Sequence, residues 1–277
     1  MTRTWDTPDD EGASRPRRRR GNAGEVREQS VVSPREGPRG RRLRRYRARW
    51  RRAVRFVAQR LLLRTVIRAT LRVRIQGIHH LDGVQGPFVL VANHSSHLDA
   101  PLLLTQLPWA TTRTLATAAA ADYFYRKRWR RTLTSIFFNS YPVERGSNRG
   151  EDAGWSLALL RRQVPLLIFP EGSRSRTGRM GAFKPGAATL ARTCRVPLVP
   201  VALAGSSQAM PVGTFWPKRG RPQVRMMVGK PLVPRPRESV QELNARLIGQ
   251  IQAMFEQANK SDETGGPESD DPQENVS

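Results

Sequence analysis

The alternation of apolar and polar residues predicts strands and helices that follow one another from about residue 71 to residue 258. Two continuous apolar runs, at 87–92 and 164–169, are typical of strands buried on both faces of a sheet. The remaining pattern predicts strands over 71–75, 114–120, 197–203 and 223–228, and helices over 99–107, 122–138, 151–162, 185–194 and 239–258. Strands that alternate with helices indicate an α/β fold, with a mainly parallel sheet sandwiched between helices.

One predicted strand contains two prolines, Pro197 and Pro200. Proline has no N–H to donate to a neighbouring strand, so it is rare inside a sheet. We therefore expect this strand at a sheet edge or in a pocket wall.

A basic amphipathic helix is predicted over residues 41–70, ahead of the α/β core. Eight arginines lie between residues 41 and 52, and each would attract anionic lipid headgroups by ~1 kcal/mol. Phe56, Leu63 and Ile67 form a second apolar side, which suits a helix that packs on its own domain and also touches lipid. The alternative is a solvated basic helix. The main apolar stripe comprises Val54, Ala58, Leu61, Leu62, Thr65 and Ala69.

The two ends of the chain are polar and differ in charge. Residues 1–40 are rich in Arg, Gly and Pro with few apolar residues, and residues 260–277 are acidic, so both are predicted to be disordered. The prediction is one domain over 41–259, with a membrane-associating helix at 41–70 and an α/β core at 71–259.

The net charge of +25 over 277 residues points to anionic partners such as a phospholipid surface, a phosphorylated substrate or nucleic acid. An Arg-rich nucleic-acid-binding protein is therefore the alternative from a different class, although no zinc-finger spacing or aromatic RNA-binding motif occurs. The single cysteine, Cys194, excludes an intrachain disulfide, and the His and Cys spacings predict no metal site. No uncharged apolar run reaches the ~18 residues of a spanning helix.

The sharpest chemical signal is a histidine that follows a buried strand and precedes a helix. His94 lies five residues before Asp99, and the turn between them can bring the carboxylate onto one ring nitrogen. The other nitrogen would then accept a proton as a general base. The alternative is that Asp99 only caps its helix and His94 is an ordinary loop residue.

A second buried strand runs into a polar loop that could hold a phosphate. Gly172 permits close backbone approach, and Arg174 and Ser173 offer donors to phosphate oxygens. Lys184 stands just before a predicted helix start, where an anion is favoured. Arg145, between the two segments, could clamp a phosphate or be a solvated charge.

These segments resemble, in order, the four motif blocks of the 1-acylglycerol-3-phosphate acyltransferase family. The blocks are Asn93-His94-x-Ser96-x-x-Asp99, Arg145, Phe169-Pro170-Glu171-Gly172-x-Arg174-Ser175 and Val199-Pro200-Val201. The resemblance spans about residues 77–231. It departs from the family at residues 139–143, where a glycine and aliphatic residues are usual, and this bears on the identity of the acceptor.

The resemblance implies an O-acyltransferase with a mixed sheet between helices. His94 would be the general base and Asp99 its orienter, while Arg145, Glu171, Gly172 and Ser173 would bind the acceptor. Arg174 and Lys184 are added as phosphate contacts.

The implied reaction moves a fatty acyl group from acyl-CoA or acyl carrier protein to the hydroxyl of a lysophospholipid. The expected acceptor is 1-acylglycerol-3-phosphate, giving phosphatidic acid, and another lysolipid or a glycolipid is the alternative. No cofactor or metal is implied. The expected location is the cytoplasmic face of the cell membrane, peripheral or shallowly embedded on an anionic surface.

Overall fold

A mixed sheet organises the part of the chain that the structure, a computed structural model, describes: residues 43–120, 137–143 and 151–263. Across the sheet the strand order is β1-β7-β6-β2-β5-β3-β4. Only the β6–β7 pair is antiparallel among these neighbours, so the predicted mixed, mainly parallel sheet is confirmed. The strands are β1 (Arg72–Gln76), β2 (Val89–Ala92), β3 (Ala116–Ala120), β4 (Tyr141–Val143), β5 (Leu166–Ile168), β6 (Leu198–Ala204) and β7 (Gln223–Val228).

Helices cover both faces of this sheet. The central strand β2 contributes Val89 and Val91 to one core cluster and Leu90 and Ala92 to the other, which is the period-2 alternation of a strand buried on both sides. The helices are α1 (Arg49–Phe56), α2 (Arg64–Thr70), α3 (Asp99–Gln106), α4 (Trp109–Thr112), α5 (Glu151–Arg161), α6 (Gly186–Cys194), α7 (Ser206–Ala209) and α8 (Val240–Glu263). Helices α5, α6 and α8 pack on the first face, and α2 and α3 pack on the second.

Several predicted elements can be compared with these bounds. The predicted capping box of the last helix is present, since Ser239 N–H donates to Glu242 at 2.6 Å and Glu242 N–H to Ser239 Oγ at 3.1 Å. The short strand β4 was not predicted, because three residues are too few for a recognisable alternation. The predicted arm at 1–40 and most of the predicted helix at 122–138 lie outside the described residues.

The expectation that the proline-containing strand lies at a sheet edge is wrong. β6 is an interior strand between β7 and β2. Pro200 O accepts from Gly229 N–H at 2.9 Å, so the proline nitrogen faces the segment just beyond the end of β7. No ladder donor is required there, and the interior strand therefore accommodates a proline.

The helical segment ahead of the core is held to the domain by arginines. α1 continues through a π-helical stretch, Val57–Leu63, into α2. Arg55 is 1% exposed and donates to Asn139 Oδ1 and to the carbonyl of Arg113, both at 3.1 Å. Burial lowers the pKa of Arg55 to about 10, so the side chain is still charged at neutral pH. Arg60 donates to the carbonyls of Thr105 and Leu107, at the end of α3.

The opposite side of the same segment exposes apolar side chains. Of the predicted apolar stripe only Ala58 is buried, while polar Arg55 and Gln59 face the domain. Of the second apolar side, Ile67 is buried in the core, so this side packs on the domain together with Arg55 and Gln59. The exposed large apolar residues are Trp50, Val54, Phe56, Val57, Leu61, Leu62 and Val66.

Candidate active site

The carboxyl-terminal ends of three neighbouring parallel strands, β5, β2 and β6, lie side by side. A polar loop follows each of these strands. The loop after β2 carries His94 and leads into α3. The loop after β5 occupies residues 169–185, and β6 is followed by Gly205 and α7. The carboxyl edge of an α/β sheet is the usual place for a ligand site.

Asn93 ties the loop after β2 to the end of β6. Its side-chain amide donates to Leu203 O at 2.9 Å, and its Oδ1 accepts from Leu203 N–H at 2.8 Å. Asn93 is 2% exposed, so these two bonds replace a pair of backbone ladder bonds in a dry setting. The residue before His94 is thereby fixed.

His94 and Asp99 meet as a hydrogen-bonded pair. His94 Nδ1 lies 2.8 Å from Asp99 Oδ2, which also accepts from the N–H groups of Ser95 at 2.7 Å and Ser96 at 2.8 Å. Asp99 is fully buried, whereas the His94 side chain is 21% exposed. Asp99 is the first residue of α3, and Leu98 is the N-cap residue of that helix. The Asp99 carboxylate binds the preceding loop and does not cap the helix.

The backbone and ring of His94 are held by the loop after β5. His94 N–H donates to Glu171 Oε1 at 2.6 Å, and His94 O accepts from Ser175 N–H at 2.8 Å. The Phe169 ring stacks on the imidazole, with centroids 4.1 Å apart and planes 20° apart. Within the described ranges no residue hydrogen-bonds His94 Nε2. This arrangement gives the imidazole one fixed nitrogen and one nitrogen able to accept a proton.

Glu171 uses both carboxylate oxygens on backbone N–H groups. Oε1 accepts from His94, and Oε2 accepts from Gly181 at 2.8 Å. A Cβ at position 181 would lie 2.8 Å from Oε2, so only glycine leaves room for this contact. Burial raises the pKa of Glu171, and the two N–H donors oppose that rise. Glu171 therefore joins two segments around His94.

The loop after β5, which carries Glu171, also carries two basic residues, Lys184 and Arg174. Gly172 has a φ of 71°, and a Cβ there would be 3.3 Å from Lys184 Nζ. Arg174 has a buried Nη1 with no hydrogen-bond partner among the described residues. Burial lowers the pKa of His97, the charges of Arg174 and His94 lower it further, and the charge of Asp99 opposes this fall. The loop therefore places two cationic side chains near His94, where they would attract an anionic group.

The structure thus brings together most of the predicted site residues. His94, Asp99, Glu171, Gly172, Arg174 and Lys184 cluster at one edge, and Ser173 is exposed on the same loop. Arg145 lies outside the described residues. Gly181 and Phe169 were not predicted as site residues: Gly181 lies in an irregular loop without periodicity, and Phe169 reads as the end of a buried strand.

A cavity of about 420 Å³ lies away from His94, on the helical segment ahead of the core. Three arginines and two aromatic rings line it, and none of the predicted site residues does. Its lining comprises Arg49, Arg52, Ala53, Phe56, Val57, Trp109 and Arg113.

Part of this chain matches a known family model, and its fold matches a solved structure. The family model described as Acyltransferase matches residues 72–204, which include every strand except β7 and both halves of the site. The solved structure of the 1-acyl-sn-glycerophosphate (LPA) acyltransferase PlsC from Thermotoga maritima superposes with a TM-score of 0.61. That match covers 78% of this chain and 86% of that one at 22% sequence identity, and it establishes a shared fold.

Curated relatives carry the name 1-acyl-sn-glycerol-3-phosphate acyltransferase. The alpha form of Mus musculus is 30% identical over 186 residues, covering 60% of this chain and 58% of that protein. The chloroplastic protein BAT2 of Brassica napus is 29% identical over 160 residues, covering 57% of this chain and 44% of that protein. The chain spans about half the length of the curated relatives it matches. Residues 72–204 of this chain therefore match the Acyltransferase family model, and the chain is similar to the 1-acyl-sn-glycerol-3-phosphate acyltransferases.

Proposed function

We propose that this chain transfers a fatty acyl group from acyl-CoA or acyl carrier protein to the hydroxyl of 1-acylglycerol-3-phosphate, forming phosphatidic acid. The observation that carries the proposal is the 2.8 Å contact between His94 Nδ1 and buried Asp99, beside a loop that carries Arg174 and Lys184. The family match supports the reaction class. The names of the curated relatives support the acceptor.

In this mechanism His94 Nε2 takes the proton of the acceptor hydroxyl as its oxygen attacks the thioester carbonyl carbon. A tetrahedral oxyanion forms and collapses, the C–S bond breaks, and the imidazolium returns the proton to the departing thiolate. Asp99 keeps the Nδ1 proton in place and stabilises the imidazolium while it exists. The phosphate of the acceptor binds Arg174, Lys184 and the backbone around Gly172 and Ser173, with Arg145 as a further clamp.

Thiol release from acyl-CoA, measured with and without 1-acylglycerol-3-phosphate, tests this function. We expect release to depend on the acceptor and to exceed that with an uncharged monoacylglycerol by on the order of tenfold or more. The reason is that hydrogen bonds to a charged group contribute about 1.5–3 kcal/mol each. Equal release with and without acceptor would contradict acyl transfer. Faster release with another lysolipid or a glycolipid would select the alternative acceptor.

The relatives described above are all acyltransferases and give no support to the nucleic-acid-binding alternative. A chain that lacks residues 1–40 separates the two readings. It should keep acyl transfer, whereas a nucleic-acid-binding arm would lose its salt-dependent binding.

An anionic membrane surface is the proposed place of action. The exposed apolar side of α1 and the basic cavity beside it suit contact with a bilayer and its headgroups. Along the described ranges, no helix has the length and apolar character needed to cross a membrane.

Glu171 is proposed to position His94, because both its oxygens are bound by backbone and a second anion would repel the acceptor phosphate. Glutamine has one acceptor oxygen, so Glu171→Gln cannot hold both His94 and Gly181. We expect kcat to fall on the order of 10²-fold, as for a misplaced catalytic group, with KM for the acceptor nearly unchanged. Steady-state kinetics measure both constants.

The same substitution changes the pH dependence of stability. The raised pKa means that folded Glu171 binds its proton more tightly than unfolded Glu171, so stability falls as pH rises through the folded pKa. Glu171→Gln should remove this fall from unfolding curves, while Glu242→Gln at an exposed helix cap should not.

In the kinetic measurements on Glu171→Gln, a raised KM at unchanged kcat would instead make Glu171 an acceptor contact.

A further inference from the structure

The loop between α7 and β7, residues 211–221, exposes two adjacent aromatic side chains. Phe215 is 85% exposed and Trp216 is 64% exposed, and Val212 on the same loop is also exposed. Single exposed apolar residues are ordinary, but two neighbouring exposed aromatic rings indicate an interaction surface. Neither the motif blocks nor the proposed mechanism uses this loop.

Hydrogen bonds hold this loop in a defined shape. Thr214 donates to Pro211 O through both its N–H, at 3.1 Å, and its hydroxyl, at 2.8 Å. Lys218 N–H donates to Ala209 O at 2.8 Å, and Arg221 donates to Arg68 O at 2.8 Å. The aromatic rings are therefore presented by a folded loop that is joined to the end of α2.

The loop lies next to the catalytic turn. Ser96 Oγ, between His94 and Asp99, donates to Met210 O at 2.8 Å, one residue before the loop begins. The Phe215 ring lies 6.4 Å from the His97 ring, and their planes differ by 16°. Whatever binds the aromatic rings therefore comes close to the acceptor site.

The charge of the loop selects the partner. Lys218, Arg219 and Arg221 give it three cations, and residues 211–221 contain no acidic residue. Exposed aromatic rings followed in the sequence by basic residues match a membrane interface, where rings lie among the headgroups and cations meet anionic lipid.

We propose that residues 211–221 insert Phe215 and Trp216 into the interface of an anionic bilayer, so that His94 faces acceptors held in that bilayer. The inference rests on the proposed function only for the acceptor being a lipid. Binding of the loop to vesicles is a separate property, which can be measured without catalysis.

Vesicle sedimentation tests the insertion, with phosphatidylcholine vesicles that contain or lack phosphatidylglycerol. Phe215→Ser/Trp216→Ser should weaken binding by about tenfold for each ring, the loss expected when a large aromatic side chain is no longer buried. Lys218→Gln/Arg219→Gln should reduce the preference for phosphatidylglycerol by about fivefold for each charge. The matched control is Val233→Ser, which changes an exposed apolar residue. Val233 lies beside the start of β6, at the end of the strands opposite to the site. This variant should bind vesicles like the parent.

Two further measurements make the result decisive. Brominated lipids should quench part of the tryptophan fluorescence of the parent. This quenched part should be absent from the fluorescence of Trp216→Phe. The double serine variant should lose transfer to long-chain acceptor in vesicles but retain transfer to a short-chain, water-soluble acceptor. Unchanged vesicle affinity would overturn the proposal and leave a protein partner for this surface. Equal loss with both acceptors would also overturn it, by making the rings part of the active-site structure. Inactivity of the parent on every acceptor, with vesicle binding intact, would count against the proposed function alone.

Discussion

Replacing His94 with alanine should lower the rate of acyl transfer by about 10²–10⁴-fold, the contribution of a positioned general base. The substitution removes Nε2, the ring nitrogen proposed to take the acceptor proton, and with it the imidazole that Asp99 holds. Thiol release in the presence of 1-acylglycerol-3-phosphate measures the loss. The fold should persist, because Asn93 and the backbone bonds of His94 still join β2 to β6 and to the loop after β5.

His79→Ala is the matched control, because His79 is an exposed histidine beyond β1. It should transfer acyl groups at the parent rate, and both variants should unfold at the parent temperature. A His94→Ala protein that transfers at the parent rate would refute the mechanism. A variant that no longer folds would be replaced by His94→Gln, for which the same loss is expected.

Asp99→Asn should have an effect of similar size, on the order of 10³–10⁴-fold in kcat. The asparagine oxygen can still accept from Ser95 and Ser96, but the side chain carries no charge to stabilise the imidazolium. In the flipped orientation the amide nitrogen takes the place of Oδ2, loses the Ser95 and Ser96 donors and donates to Nδ1, which moves the ring proton to Nε2 and blocks the base. Because Asp99 is fully buried and touches no substrate, KM for both substrates should stay within a few-fold of the parent.

Steady-state kinetics on Asp99→Asn and on Asp82→Asn, an exposed carboxylate in a turn, provide the comparison. A large rise in KM without a fall in kcat would mean that Asp99 shapes the acceptor pocket. Parent-like kcat would show that the pair has no catalytic part.

Much of the fold could be predicted from the sequence because its strands are buried. The continuous apolar runs before His94 and before Glu171 are typical of strands in the middle of a parallel sheet. The loops that follow two such strands lie at the same end of the sheet. The five-residue spacing from His94 to Asp99 allowed their contact, since the loop between them is short, and the order of the motif blocks favoured that contact over a helix cap.

The parts that could not be predicted depend on contacts between distant residues. Arg55 is buried because Asn139 and the carbonyl of Arg113 receive its guanidinium, and hydrophobic periodicity carries no information on either partner. Pro200 is tolerated in an interior strand only because β7 ends beside it. The bond from Gly181 to Glu171 crosses ten residues of irregular loop.

The attachment of the catalytic turn to remote strands has a consequence for biosynthesis. His94 N–H reaches a residue 77 positions later, and the Asn93 bonds reach one 110 positions later. Such non-local pairing forms late and slowly during folding. A nascent chain that has emerged only to residue 170 already contains His94 and Asp99, yet it lacks Glu171 and Leu203, which hold the turn in place. We therefore expect the proposed catalytic arrangement to form only together with the completed native topology, and incomplete translation products to be inactive.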